Sequence, residues 1–243
     1  MPFTPRALNR SCGHSLKVLI PLFPNLNTFD ANGPIEVLSQ ANRLTCEKQI
    51  FELYLASSTE LTRSLEGVSL ARDISLVKAL ERVTEWDILL LPGGATDSIL
   101  SIIEDWKRDK LSPSSALINL LDRYLALEDG LTLTICTGSL FLAATGKLDG
   151  RTATTHWSAL STMRKLCAQS VSETNVIRAR WVDSKEVTIP RLITSGGVSC
   201  GIDAAFYLVD LIAGTELAAS IAHAIEYQRR GPEVQEDYVI SHL

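Results

Sequence analysis

No two cysteines in this sequence stand at C-x-x-C spacing, and no cysteine–histidine cluster has the spacing of a zinc site. The five cysteines (Cys12, Cys46, Cys136, Cys167 and Cys200) are an odd set, which argues against a disulfide framework. A reducing, cytoplasmic compartment and the absence of a structural metal are the expectations. No apolar run reaches the ~18–20 residues needed to cross a bilayer, so no membrane association is expected. A large excess of either charge is missing as well: 23 Lys and Arg stand against 28 Asp and Glu, a net charge of −5, and this mild acidity gives no sign of a surface for nucleic acid or an anionic membrane. Internal repeats, low-complexity tracts and linkers are missing too. What remains is a 243-residue chain, long enough for one large α/β domain with a full core. That single domain is expected over residues 16–243, behind a flexible extension at 1–15. Arg6 and Arg10 stand there without an acid, as in a transit peptide, but Pro2 and Pro5 oppose an amphipathic helix.

The elements read as alternating strands and helices. Strands are expected at 15–23, 50–58, 86–94 and 131–135, with a short extended piece at 152–157, an alternating run at 175–183 and a last strand at 191–197. Helices are expected at 33–44, where Pro34 suits a first turn, and at 76–83, 112–130, 157–169, 200–214 and 216–228; another follows Cys136 and ends at Gly146. This order implies an open, mostly parallel sheet covered on both faces, with its site at the carboxyl ends of the strands. Asp30, Gly93–Gly94, Cys136–Thr137 and Ser195–Gly197 all fall at such ends.

Cys136 sits where the apolar strand "LTLTI" meets the small-residue segment "CTGS". A residue wedged between strand and helix occupies a nucleophile-elbow position, pushed out of the sheet's end. The helix amino terminus is expected to lower the thiol pKa. The Thr137 N–H, next to the cysteine, is one half of an oxyanion hole, and the diglycine in "LPGG" offers the other. A buried, inert thiol is the competing reading, since free cysteine is among the most buried residue types. Asp30 follows the first strand in a loop before a helix, where a solvated carboxylate or a cap is the plain reading. Beside a thiolate it would instead be pushed toward its protonated form, able to give a proton and later take one from water.

The strings "ICTGSLFLAATGKLDGRTATTHW" (135–157), "FDANGPIEVL" (29–38), "LPGG" (91–94), "TSGGVSCGID" (194–203) and "IEYQRRGP" (225–232) closely resemble the DJ-1/PfpI superfamily, most of all its isocyanide hydratase branch. The resemblance covers nearly the whole chain after about residue 15. It implies a flavodoxin-like three-layer α/β sandwich and a homodimer. It makes Cys136 the nucleophile and Asp30 its acidic partner, and puts Gly93, Gly94 and Thr137 where substrate charge is bound. His156, Trp157 and Asn32 become pocket residues. A small-molecule isocyanide is the implied substrate, with no metal or organic cofactor required. Thr137 stands where PfpI-type proteases carry a histidine, so the protease reading lacks its base. His156 offers a Cys–His pair, while His223 and Glu226 read as a surface pair on one helix face. Cys46 and Cys167 read as packing thiols; Cys200 and Trp181 stand near enough to the expected pocket to border it, with core packing as the default. Asn32 replaces the threonine of the branch's D-x-T-G-P loop, which places the substrate rather than the nucleophile in question. A redox-sensing or ligand-binding protein of the DJ-1 kind is the alternative, resting on oxidation of Cys136.

Overall fold

Apolar residues occupy every position of the two strands at the centre of the molecule except for two buried threonines, the pattern of a sheet covered on both faces. The computed structural model describes residues 7, 14–45, 49–168, 171–185 and 190–233. Among them the chain runs through β1 (Leu16–Pro21), α1 (Thr28–Leu44), β2 (Phe51–Ser57), β3 (Leu61–Arg63), β4 (Ser69–Ala71), β5 (Ile74–Ser75), α2 (Leu76–Glu81), β6 (Ile88–Leu91), α3 (Thr96–Arg108) and α4 (Ala116–Leu125). It continues through β7 (Leu131–Thr134), α5 (Ser139–Ala144), β8 (Thr152–Ala153), α6 (Leu160–Cys167), β9 (Asn175–Val176), β10 (Trp181–Asp183), β11 (Arg191–Ser195), α7 (Ser199–Ala213) and α8 (Thr215–Ala224). The expected extension at 1–15 and Cys12 and Cys46 lie outside the described residues, apart from Ala7, His14 and Ser15.

Seven strands form the main sheet in the order β10-β11-β7-β6-β1-β2-β5, parallel except for the β10–β11 pair at one edge. Helices α1, α7 and α8 pack together on one side; α2 packs with α4, and α3 and α6 with α5, on the other. This is the expected flavodoxin-like three-layer sandwich. Among the described residues, no helix is long and apolar enough to cross a membrane.

Register aligns the strand ends. Leu91 of β6 and Thr194 of β11 both stand opposite Thr134 of β7. Pro92–Gly93, Ile135–Cys136 and Ser195–Gly196 therefore leave the sheet at one level. At the opposite end, the buried Tyr124 hydroxyl donates to the Asp87 carbonyl (2.9 Å) and accepts from the Leu131 N–H (3.1 Å), fixing β6 to β7.

Several boundaries differ from the sequence expectation. Helix α1 begins at Thr28 rather than near residue 33, because the Asn27 side chain accepts from the N–H groups of Phe29 and Asp30 and caps the helix more than a turn early. Asp30 thus lies in a first helical turn, not in a loop. Pro34 falls inside the helix, where its missing N–H leaves the carbonyl four residues earlier, that of Asp30, without its usual donor. The run at 175–183 divides: β9 pairs with β8 in a separate two-stranded sheet, and only β10 joins the main one. Helix α3 was not expected, although Ile99, Ile103 and Trp106 bury one face of it at helical spacing. The small β3–β4 hairpin was also unforeseen.

Candidate active site

Four chain segments meet beyond the carboxyl ends of β1, β6, β7 and β11, as the strand order anticipated. Cys136 follows β7 after one residue and adopts φ 56°, the left-handed backbone of a sharp elbow. Its N–H donates to the Gly196 carbonyl (3.0 Å), and its carbonyl accepts from the Thr155 hydroxyl (3.0 Å) and the Ser139 hydroxyl (3.2 Å). The turn is thus held by β11's exit and by the residue before His156. A single 3-10 turn, Cys136–Gly138, separates the cysteine from the six-residue helix α5.

Asp30 reaches this elbow from the first turn of α1 and is fully buried. Neither of its carboxyl oxygens makes a hydrogen bond of ordinary geometry. The Cys136 thiol and the N–H groups of Gly93 and Val198 nonetheless face it closely enough to offset part of the burial penalty. Burial dominates: the carboxyl is pushed up from 3.8 to about 7, with the negative charge of Glu66 adding to the rise. Gly93 has no room for a side chain. A Cβ there would fall 2.7 Å from the Thr137 nitrogen, 2.8 Å from Asp30 Oδ2 and 2.8 Å from Cys136 Cβ. Acid, thiol and two backbone amides therefore share one small space.

Three expectations are corrected. The thiol is not acidified: burial first, then the neighbouring Asp30 charge, pushes it up to about 12, outweighing the Thr137 N–H and hydroxyl that favour the thiolate. Nor is it exposed, with 7% of its surface accessible. Gly94 does not lie against the thiol. It pairs with Leu26 and Asn25, and its N–H donates to Thr137 Oγ1 (2.9 Å), which in turn donates to the Gly94 carbonyl (2.8 Å). It is Gly93 whose missing side chain would meet Cys136, while its N–H faces Asp30. Asn32, two residues beyond Asp30 on a helix turning about 100° per residue, is exposed and points to another side of α1 than Asp30.

His156 is half-buried, and its Nδ1 pairs with the Ser158 hydroxyl (2.7 Å), so this nitrogen is occupied locally. Its ring lies against Gly197, where a Cβ would fall 2.3 Å from Cδ2; burial pushes the imidazole pKa down. Trp157 stacks obliquely beside it, with centroids 5.5 Å apart, and is 48% exposed. Phe29 is as exposed as Trp157, and Val198 less so. Cys167 lies away in α6, and Cys200 is buried beside Arg180 and Asp203, where burial pushes its thiol up. Trp181 stacks on Tyr207 at the sheet edge (centroids 4.0 Å apart), not at the elbow. Among the described residues no group of three or more His, Cys, Asp or Glu side chains is arranged to hold a metal ion.

The sequence reading missed Val198. This β-branched residue is strained at φ 39°, ψ −87°, and turns its N–H toward Asp30 at the start of α7. The preceding Gly-Gly was the available signal for a tight turn there. Thr155 was overlooked as a tether of the elbow.

A DJ-1/PfpI family model matches residues 16–211. Among curated proteins, the isonitrile hydratase of Pseudomonas putida is 27% identical over 219 residues, covering 90% of this chain and 81% of that protein. A ThiJ/PfpI family protein from Pseudomonas syringae superposes with a TM-score of 0.68 at 20% identity over 90% of this chain and 78% of its own. The oxidized DJ-1 of Toxoplasma gondii gives 0.65 at 24% identity, covering 88% and 99%.

Proposed function

Because the chain belongs to the DJ-1/PfpI family, we propose that it is a cysteine-dependent hydratase that converts an isocyanide to an N-substituted formamide, acting as a cytoplasmic homodimer. The observation that carries this reading is the buried Asp30 carboxyl facing the Cys136 thiol, with its pKa pushed up to about 7. The terminal carbon of an isocyanide receives a nucleophile and a proton at the same atom. An acid and a thiol that face one another can deliver both.

In the proposed cycle the protonated Asp30 gives its proton to the isocyanide carbon as Cys136 sulfur bonds to it. The thiol proton passes to Asp30, so the net change is addition of S–H across that carbon, forming a covalent thioimidate. Water then adds to the thioimidate carbon. One water proton reaches the imine nitrogen through Asp30, and the other leaves with collapse of the adduct, which breaks the C–S bond, releases the formamide and returns the thiol. In this cycle the Thr137 N–H, which faces the thiol, and the Gly93 N–H, which faces Asp30, would hold the polar intermediates. Likeness to the Pseudomonas putida isonitrile hydratase supports the substrate class. Keeping the thiol neutral until substrate arrives suits a site whose proton and nucleophile must arrive together.

The alternative is a redox-sensing or ligand-binding protein of the DJ-1 kind. Oxidation proceeds through the thiolate, and the raised thiol pKa works against it. Incubation of purified protein with a small aryl isocyanide, following formamide, decides between the two. Turnover is expected for the wild type and none for Cys136→Ala. Turnover retained by Cys136→Ala would refute the covalent scheme, and a wild type without turnover would favour the alternative.

A further inference from the structure

The β3–β4 hairpin stands outside the main sheet, and its turn reaches back to the start of the helix that carries Asp30. Glu66, in that turn, accepts from both the N–H (3.1 Å) and the hydroxyl (3.0 Å) of Thr28, the first residue of α1. The turn is built to hold it there: the Ser64 N–H donates to the Val68 carbonyl, the Gly67 N–H to the Ser64 carbonyl, and the Val68 N–H to the Ser64 hydroxyl. The Leu65 N–H donates to the Leu26 carbonyl (2.9 Å), fixing the turn to the segment before α1.

A carboxylate in the first turn of a 17-residue helix ordinarily gains from the unpaired N–H groups and the positive end of the dipole. Asp30 is denied both. Asn27 takes the N–H groups of Phe29 and Asp30, and Glu66 takes that of Thr28. Glu66 also brings a full negative charge to the same helix end. Asp30 is left buried, with both oxygens lacking a hydrogen bond of ordinary geometry.

We propose that Glu66 is a positioning residue for Asp30: its anion occupies the start of α1, cancels that helix end for Asp30, and so keeps Asp30 a proton donor at neutral pH. The proposal rests on the reading of Asp30 as the acid of the site. Glu66 itself remains ionised; burial pushes its carboxyl up, but the Thr28 N–H, its own N–H and the Ser64 and Thr28 hydroxyls outweigh this and lower it overall. Among the described residues, the titratable groups that bear on Asp30 are Cys136 from the elbow and Glu66 from the hairpin; the β6–α3 loop and the start of α7 present the N–H groups of Gly93 and Val198.

The test uses Glu66→Gln, which can still accept from Thr28 but has no charge, and Glu66→Ala, which loses both. Two readouts are taken against pH: kcat/KM for a small aryl isocyanide, and the rate of Cys136 alkylation by iodoacetamide. The Asp30-dependent inflection near pH 7 should move down by a few tenths of a unit to about one unit in Glu66→Gln. The same shift is expected in Glu66→Ala, with a fall in melting temperature that Glu66→Gln restores. The shift should vanish when Asp30→Asn is the background. Absence of turnover with the alkylation shift intact would defeat the hydratase reading and leave this proposal standing. Superposed wild-type and Glu66→Gln profiles, an alkylation profile with no inflection dependent on Asp30, or a shift that persists with Asp30→Asn, would overturn it.

Discussion

Replacing Asp30 by asparagine should make the protein more stable while removing most of its turnover. In the unfolded chain this carboxyl titrates near 3.8, and in the folded site near 7. The native state therefore keeps a proton that the unfolded state has released, and stability falls as pH climbs from about 4 to about 7. At about 1.4 kcal/mol per pKa unit, the accumulated cost above pH 7 is about 4 kcal/mol. Asparagine carries no charge at any pH, and its side-chain oxygen would face the same Gly93 and Val198 N–H groups. Between pH 5 and pH 8 the advantage of Asp30→Asn over the wild type should widen by about 2–3 kcal/mol. In thermal melts this is a growing gap of roughly 5–10 °C for a chain of this size. Urea unfolding at the two pH values, read by far-UV circular dichroism, gives the free energies directly. A difference between variant and wild type that is the same at pH 5 and pH 8 would refute the reasoning, because it would mean that Asp30 titrates alike folded and unfolded.

Other perturbations address the frame around the pair. Gly93→Ala should abolish turnover and lower the melting temperature, since the new methyl would fall within 2.8 Å of Asp30 Oδ2 and Cys136 Cβ; a variant with wild-type kinetics would mean that the β6 loop can yield. Tyr124→Phe strips the hydroxyl bridging the Asp87 carbonyl and the Leu131 N–H and should cost about 1–3 kcal/mol in urea titrations without altering kcat. A loss of turnover there, at unchanged stability, would contradict the placement of Tyr124 at the far end of the strands.

The parallel sheet was legible because its central strands are nearly all apolar and are separated by helical spacing. The four-piece convergence was legible because strand ends in such sheets point the same way. Cys136 was marked by its junction, while the place of Asp30 after β1 suggested no more than a cap or a solvated carboxylate, and only the family resemblance paired the two. Their protonation states were not legible. The sequence pointed to an acidified thiol because a helix follows it; burial and a facing carboxyl reverse that sign, and neither is written in local spacing. Gly94 drew attention as half of a diglycine, but a two-way contact with Thr137 made 43 residues apart in the chain decides which glycine faces the thiol. Glu66 could not have been found at all, since a three-residue strand and a turn hold it against a helix 38 residues away.

The groups that surround Asp30 and Cys136 include the main-chain amides of Gly93, Thr137 and Val198. A main-chain amide is the same in every residue but proline, so point mutation rarely deletes it. The chemistry of the elbow is in this sense insulated from drift, provided that a glycine stays at 93 and the turn at Val198 is kept. The exposed side chains of Phe29 and Trp157, by contrast, leave the main-chain electrostatics untouched when they change. On the proposed reading, changes at such outer side chains would alter which substrate is taken while the main-chain machinery around Asp30 and Cys136 stays constant.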